Sequence, residues 1–115
     1  MVDTAQYAPK AVVYTEEDWY AEGRRRFGPD LHKWKFICPC CGYIASVGEW
    51  VAADAEKQAG FSCIGRAIGA KRRAFGGSGS GPCDYAGGTL LSFNPITVVH
   101  ANGAETRYMA FADES

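Results

Sequence analysis

The feature that most constrains this chain is a pair of cysteines two residues apart, Cys38 and Cys41, followed directly by Gly42. This spacing lets two thiolates of one tight turn bind the same metal ion, and the glycine permits the positive φ that such a knuckle needs. Two more cysteines follow after gaps of 21 and 19 residues. A tetrahedral structural site takes four ligands, so the sequence predicts a zinc ion with these ligands: Cys38, Cys41, Cys63 and Cys83.

Other uses of the cysteines and histidines stay open. We expect the fifth cysteine, Cys40, to point away from the metal. Three cysteines could be completed by His32 or His100, or no metal could bind, with Cys63 a small buried apolar residue. A thioredoxin-type redox pair needs a helix after the motif, whereas residues 43–47 predict a strand. A disulfide set would leave one of five cysteines over, and the start of the chain lacks the features of a signal peptide.

Length and composition favour one small folded domain. The chain has 115 residues, of which 47% are apolar, and its 12 Lys and Arg nearly balance its 13 Asp and Glu. Compact domains commonly have about 100–150 residues. The near-zero net charge excludes a nucleic-acid binder that acts through bulk basicity. Apolar runs stay far below the roughly 18 residues of a membrane span. We therefore expect a soluble, cytoplasmic protein that does not contact the membrane.

The hydrophobic pattern predicts an α+β fold with short antiparallel strands, two to three helices and a C-terminal β-hairpin, organised by the zinc knuckle. We assign residues 1–14 to an N-terminal arm and 15–115 to a single zinc-binding domain. Thr15 is the expected N-cap of the first helix, which has acids in its first turn and arginines in its last. Gly28-Pro29 ends that helix. Strands at 34–37 and 43–47 should pair across the cysteine turn.

The second half of the chain is harder to assign. We predict a helix over 48–58, started by a Ser46–Glu49 capping box, a strand over 61–64 and a third helix over 66–75. A mobile Gly/Ser loop over 76–81 and a strand over 90–93 follow. The closing hairpin turns at Asn102-Gly103, a pair suited to a two-residue type I′ turn. That turn would place His100 opposite Glu105 and Val99 opposite Thr106.

Two clusters of basic residues are candidate macromolecule-binding surfaces. The first consists of Arg24, Arg25, Arg26, Lys33 and Lys35, with Trp34 among them, and the second of Arg66, Lys71, Arg72 and Arg73. Basic residues interleaved with an aromatic ring can bind a phosphate backbone and stack bases. The alternative is that both clusters are solvated helix ends and that Trp34 belongs to the core.

A catalytic set is not evident in the sequence. His100 opposite Glu105 is better interpreted as a surface pair than as an acid–base dyad. Four thiolate ligands also close a zinc site, because they leave no coordination position for a reacting water. The sequence therefore does not predict an enzyme.

Five segments carry a resemblance: 20–30 (YAEGRRRFGPD), 36–42 (FICPCCG), 60–66 (GFSCIGR), 81–88 (GPCDYAGG) and 91–95 (LSFNP). In these segments the chain resembles a small family of uncharacterised phage- and prophage-encoded proteins. The resemblance implies that the four predicted zinc ligands occupy motif positions, whereas Cys40 occupies a variable one. It also implies the cytosol of a bacterial host during infection, and it carries no established activity.

These observations lead to two functional hypotheses. The first is a zinc-stabilised interaction protein that binds and modulates or inhibits a host macromolecular complex, for instance an anti-CRISPR or other anti-defence protein. Its partner would be a host or phage protein complex. The second is a nucleic-acid-binding zinc module that uses the two basic clusters. The sequence does not indicate the oligomeric state.

Overall fold

The computed structural model describes residues 11–70, 72, 74, 81–87 and 94–112. Its strands are β1 (Val12–Thr15), β2 (Lys35–Ile37), β3 (Ile44–Ser46), β4 (Ile96–Val99), β5 (Glu105–Tyr108) and β6 (Ala110–Phe111). Its α-helices are α1 (Glu16–Phe27), α2 (Val47–Ala52) and α3 (Ile64–Ala67), with 3-10 turns at Leu31–Lys33 and Glu56–Gln58. This is the predicted α+β class. The strand predicted over 90–93 and most of the predicted Gly/Ser loop lie outside the described residues.

The strands form two three-stranded sheets that share the end of the chain. One sheet has the order β1-β4-β5 and the other β3-β2-β6. Only Met109 separates β5 from β6, so the chain leaves the first sheet and joins the second within one residue. The predicted hairpin across the cysteine turn is confirmed, because β2 and β3 pair antiparallel.

One strand pair differs from the predicted antiparallel pattern. The strand β1 pairs parallel with β4, with Val12 opposite Ile96. This strand begins inside the segment that the sequence assigns to an N-terminal arm. Its partner strand β4 is more than 80 residues away in the sequence, so the pairing cannot be predicted from a local sequence pattern.

Helix α1 confirms its predicted boundaries. The backbone N–H of Asp18 donates to Thr15 Oγ1 at 3.1 Å, and the helix ends at Gly28, whose φ is +89°. The helix buries Trp19 and Gly23 against the sheet side. Glycine is required at position 23 because a Cβ there would lie 2.2 Å from the Trp34 ring.

Aromatic rings from α1 and both sheets form the core between these elements. The Trp19 ring stacks on Tyr108 at 4.7 Å between centroids and on Phe111 at 5.5 Å. Phe36 stacks on Phe111 at 5.2 Å. Trp34 is 1% exposed, and its indole N–H donates to the Gly28 carbonyl at 3.0 Å. We call this group of rings the aromatic core.

The middle of the chain contains less regular structure than the sequence predicts. The helix predicted over 48–58 ends at Ala52, because Asp54 takes a φ of +58° and a separate 3-10 turn follows. The capping-box bond is present, since the Ser46 N–H donates to Glu49 Oε2 at 2.9 Å. Residues 61–64 are not a strand. Cys63 instead precedes α3, which begins earlier than the predicted helix over 66–75 and ends at Ala67.

The closing hairpin forms, but its predicted register is wrong by one residue. Val99 lies opposite Glu105 rather than Thr106. The Gly103 N–H donates to the His100 carbonyl at 2.9 Å, and the His100 N–H donates to the Ala104 carbonyl at 2.8 Å. Of the loop residues only Gly103 has a positive φ, at +86°. A type I′ turn needs two such residues, so the chain uses a three-residue loop instead.

His100 consequently has different partners from the one predicted. Its Nδ1 lies 2.7 Å from Glu16 Oε2, and its Nε2 lies 2.8 Å from Thr106 Oγ1. The imidazole therefore links the start of α1 to β5 rather than pairing with Glu105.

Candidate metal centre

The structure brings the four cysteines predicted from the spacing to one point. The Sγ atoms of Cys38, Cys41, Cys63 and Cys83 all lie within 4.8 Å of one another. The Cys38 and Cys83 sulfurs are 3.8 Å apart, and those of Cys41 and Cys63 are 3.7 Å apart. All five cysteines of the chain are free thiols, so the cluster is not a pair of disulfides. We call this group the cysteine centre.

One turn and two loop segments position these sulfurs. Cys38 and Cys41 stand in the turn between β2 and β3, where the Gly42 N–H donates to the Cys38 carbonyl at 3.0 Å. Gly42 has a φ of +78°, which is the conformation that the motif predicts for this glycine. Cys63 directly precedes α3, and Cys83 lies in the segment 81–87. The Cys63 N–H donates to the Tyr85 carbonyl at 3.0 Å, which joins the last two ligand segments.

Backbone amides point at the sulfurs of the turn. The Cys40 N–H donates to Cys38 Sγ, and the Tyr43 N–H donates to Cys41 Sγ, both at 3.4 Å. Each donor stands two residues after the cysteine it contacts. Amide donors stabilise a thiolate, so the turn is built to hold charged sulfur rather than neutral thiol.

The proximity of the sulfurs also separates their pKa values. Hydrogen bonding to Cys40, and then to Cys41, raises the pKa of Cys38. Hydrogen bonding with Cys38, and then with Cys63, lowers the pKa of Cys41. Four thiolates at this distance repel one another, so a cation is needed to keep them all deprotonated together.

The dimensions of the cysteine centre fit a tetrahedral metal ion with sulfur ligands. Zinc binds thiolate sulfur at about 2.3 Å, and a regular tetrahedron of that radius has edges of about 3.8 Å. Two of the six Sγ–Sγ distances, 3.7 and 3.8 Å, match this value, and none of the six exceeds 4.8 Å. Three of the cysteines are at most 1% exposed. The arrangement is thus consistent with a structural metal such as zinc.

The remaining candidate ligands lie outside the cluster. Cys40 is not among the four converging residues, although its thiol hydrogen-bonds with that of Cys38 and so does not turn fully away from the cluster as expected from the sequence. Neither histidine joins the four. His100 binds Glu16 and Thr106, while His32 has its Nδ1 at 3.8 Å from Asp30 Oδ1. A three-cysteine site completed by a histidine therefore does not match the structure.

The first basic cluster contains residues held in ion pairs and residues without one in the described part of the chain. Arg25 and Arg26 both pair with Glu22, with closest approaches of 2.5 Å. Hydrogen bonds from Arg25 and then Arg26 lower the pKa of Glu22 to about 2. Arg24, Lys33 and Lys35 are exposed. The hypothesis that Trp34 stacks on a base is wrong for this conformation. Its ring is buried in the aromatic core and cannot reach a ligand.

The second basic cluster lies partly outside the described residues, because Lys71 and Arg73 are not described. Arg66 is exposed on α3. The Arg72 guanidinium donates to the Gly81 carbonyl at 2.9 Å, so it fastens the segment that carries Cys83. Nearby, the Ala74 N–H donates to Asp84 Oδ1 at 2.7 Å. For Arg72 the observed contact is therefore structural.

A buried polar network beside the cysteine centre was not predicted from the sequence. Asn94 is fully buried, and its amide nitrogen donates to the carbonyls of Phe61 and Arg107, each at 3.1 Å. Tyr85 donates its hydroxyl hydrogen to Asn94 Oδ1 at 3.0 Å. In the sequence Asn94 stands only in the segment 91–95, and nothing there indicates a buried amide.

Fold and site together define a class: small α+β domains in which a four-cysteine centre suited to a metal ion holds loops against two short sheets. The sequence model of the VVA0879-like family matches residues 15–112, and the chain belongs to that family. No curated protein and no solved structure matches the chain. None of the helices in the described part of the chain is long and apolar enough to cross a membrane.

Proposed function

We propose that this protein is a zinc-stabilised interaction module without enzymatic activity, in which the zinc holds a protein-binding surface. The observation that carries the proposal is the closed geometry of the cysteine centre. Four convergent thiolates satisfy tetrahedral zinc and leave no position for a reacting water, which is the pattern of a structural rather than a catalytic ion.

The surface that zinc would hold is an apolar hollow beside the cysteine centre. The hollow has a volume of about 310 Å³ and is lined by Tyr43, Glu49, Ala52, Ala53, Ile64 and Ile68. Two of these residues adjoin ligands. The Tyr43 N–H donates to Cys41 Sγ, and Ile64 directly follows Cys63. Loss of the metal would therefore displace two walls of the hollow.

The composition of the hollow suits an apolar side chain of a protein partner. Ile68 is 59% exposed, so its side chain is free to contact a partner at this hollow. A polar group stands at the edge, where the Tyr43 hydroxyl donates to Glu49 Oε1 at 3.2 Å. An apolar centre with a polar rim is the usual anatomy of a protein interface.

We propose further that the partner belongs to a host or phage complex in the bacterial cytosol, for instance a defence complex that the protein inhibits, as an anti-CRISPR protein does. The support for this part is the resemblance of five sequence segments to phage- and prophage-encoded proteins.

The test compares two exposed apolar residues at different places. Affinity-tagged wild type, Ile68→Asp and Leu31→Asp are used to recover partners from phage-infected bacteria, with the bound proteins quantified by mass spectrometry. We expect one stoichiometric partner with wild type and Leu31→Asp, and at least tenfold less with Ile68→Asp. Equal recovery by all three proteins, or no specific partner, contradicts the proposal. Circular dichroism and zinc content show whether both variants are folded.

Nucleic-acid binding is the second candidate function. The observation that favours it is an open cleft in which Lys33 and Lys35 lie together with His32. This surface is smaller than the two basic clusters of the sequence hypothesis, because Arg25, Arg26 and Arg72 have other partners.

A further inference from the structure

A second concavity shares no lining residue with the apolar hollow, although Ser46 of the one and Glu49 of the other are hydrogen-bonded. It is an open cleft of about 370 Å³, and its lining residues are Phe27, His32, Lys33, Lys35 and Ser46. We call it the lysine cleft. Three of its five residues can carry positive charge, and none is an acid.

The chain builds the lysine cleft by alternating buried and exposed positions. Trp34 enters the aromatic core, while its neighbours Lys33 and Lys35 are exposed. The 3-10 turn before them is held by Asp30, which accepts the His32 N–H at 3.0 Å. Val47 donates its N–H to the Trp34 carbonyl at 2.9 Å, which brings Ser46 to the same cleft. The lysines therefore stand on a fixed backbone.

Among the described residues the two lysines of the cleft are not held in ion pairs, whereas His32 lies beside Asp30, with its Nδ1 3.8 Å from Asp30 Oδ1. In the described part of the chain neither Lys33 nor Lys35 has an ion-pair partner. This distinguishes them from Arg25 and Arg26, which share Glu22. Two carboxylates are near the cleft, and both accept hydrogen bonds from neutral groups, which orient them toward those groups and leave their negative charge in place. Asp30 accepts from the His32 backbone, and Glu49 accepts from the Ser46 N–H and the Tyr43 hydroxyl.

We infer that the lysine cleft binds single-stranded nucleic acid, with Lys33 and Lys35 on two phosphates and one base against Phe27. Two unpaired ammonium groups in one cleft attract phosphates. The Phe27 ring is half-buried and is braced edge-on by Phe111, with centroids 5.8 Å apart. A ring inside a cleft can stack only on an unpaired base, so the geometry favours a single strand over a duplex. This inference rests on the second candidate function, nucleic-acid binding, and is independent of the apolar hollow and its partner.

The test uses the full-length, zinc-loaded protein and a fluorescently labelled 12-residue oligothymidylate, followed by anisotropy between 50 and 200 mM salt. Two neutralised phosphates on a single strand give a slope of about −1.4 for log K against log salt, so the affinity should fall about sevenfold over this range. The double variant Lys33→Gln/Lys35→Gln should lose at least tenfold in affinity at 50 mM salt and most of the slope. Lys57→Gln, which removes an exposed lysine elsewhere, should bind like wild type.

Two additional proteins separate charge from structure. Lys33→Arg/Lys35→Arg keeps both charges and should retain binding, whereas Phe27→Leu should weaken oligothymidylate binding without changing the salt slope. The inference is overturned by no binding at 50 mM salt, by an unchanged slope in the double Gln variant, or by equal or tighter binding of a 12-base-pair duplex. Tighter binding of a phosphoserine peptide than of the oligonucleotide also overturns it.

Discussion

The aromatic core and the cysteine centre occupy one small domain but are held together differently. Around the aromatic core the chain forms the 12-residue helix α1 and two paired sheets, and large rings fill the space between them. Around the cysteine centre it forms loops. From residue 53 to 70 the regular elements are one 3-10 turn of three residues and the four-residue α3. The first region is stabilised by apolar burial, and the second needs cross-links.

Side chains supply those cross-links where backbone ladders are missing. Asn94 donates to the Phe61 and Arg107 carbonyls, and the Trp50 indole donates to the Ser62 carbonyl at 3.1 Å. The four converging cysteines are placed to add a further cross-link through a shared metal ion. Because loop residues lose as much chain entropy on ordering as helix residues, a region with few ladders needs strong contacts of another kind. We therefore expect metal removal and core mutations to affect the two regions unequally.

The largest expected effect is loss of a ligand. Binding of a structural zinc ion contributes roughly 10–16 kcal/mol in small zinc-binding peptides, which is as large as the total stability of many domains. Cys83→Ser should abolish stoichiometric zinc binding and lower the melting temperature by more than about 10 °C. Metal analysis and circular dichroism measure both quantities. A strong chelator should act on wild type in the same way.

Cys40→Ser is the matched control for that variant. It removes a thiol from the same turn but from outside the converging four. We expect unchanged zinc content and a melting temperature within a few degrees of wild type. If Cys83→Ser melts like Cys40→Ser and neither protein contains zinc, the cysteine centre is not a metal site.

A pair of glycine substitutions would separate the two regions directly. A Cβ at Gly65 would lie 2.2 Å from the Cys83 carbonyl oxygen, and one at Gly23 would lie 2.2 Å from the Trp34 ring. Gly65→Ala must therefore move a ligand segment, whereas Gly23→Ala must move an aromatic ring. We expect Gly65→Ala to lower zinc affinity at least tenfold. Gly23→Ala should lose about 1–3 kcal/mol of stability, as overpacked cores do, with little change in zinc affinity.

Competition with a chromophoric chelator measures the zinc affinity of these variants, and urea unfolding measures their stability. Equal losses of zinc affinity in both variants would show that the aromatic core and the cysteine centre fold as one cooperative unit. In that case the two regions would differ in structure but would not unfold or lose zinc affinity independently.

The same contrast explains which features could be predicted from the sequence. Helix α1 is specified by its own residues, since Thr15 caps it, acids and arginines match its dipole and Gly28 ends it. The cysteine turn is equally local, because ligand spacing and Gly42 are readable without knowledge of the fold. The convergence of the distant Cys63 and Cys83 on the other two cysteines could be predicted because a tetrahedral metal site with sulfur ligands would require four sulfurs.

Features that depend on distant partners could not be predicted in this way. The strand β1 forms because β4 is available to pair with it. The residues of β1 alone do not indicate which strand that partner is. The predicted helix over 48–58 fails at Asp54, where a left-handed residue turns the chain toward the ligand loop. The hairpin register was wrong because Asn102-Gly103 supports two loop types, and the turn dipeptide alone does not choose between them.

The smallest expected effect concerns the surface of α1, where Glu22 holds Arg25 and Arg26. The hydrogen bond from Arg25, followed by that from Arg26, lowers the pKa of Glu22 from its usual 4.5 to about 2. A lowered pKa in the folded state means that the contribution to stability is complete above about pH 4.5 and is lost as the pH falls toward 2. Because these side chains are partly exposed, Glu22→Gln should cost about 1 kcal/mol or less at pH 7.

Urea unfolding of wild type and Glu22→Gln at pH 7, 5 and 4 tests this expectation. The difference in unfolding free energy should be constant from pH 7 to 5 and smaller at pH 4, and it should shrink in high salt because surface ion pairs are screened. Both proteins contain the same cysteines, so any loss of metal in acid affects them equally and cancels in the difference. If the difference in unfolding free energy grows on acidification, the folded protein favours the protonated form of Glu22, and the predicted direction of its pKa shift is wrong. Zinc affinity should be the same in both proteins, since the ion pair lies on α1, which packs on the aromatic core and contains no cysteine.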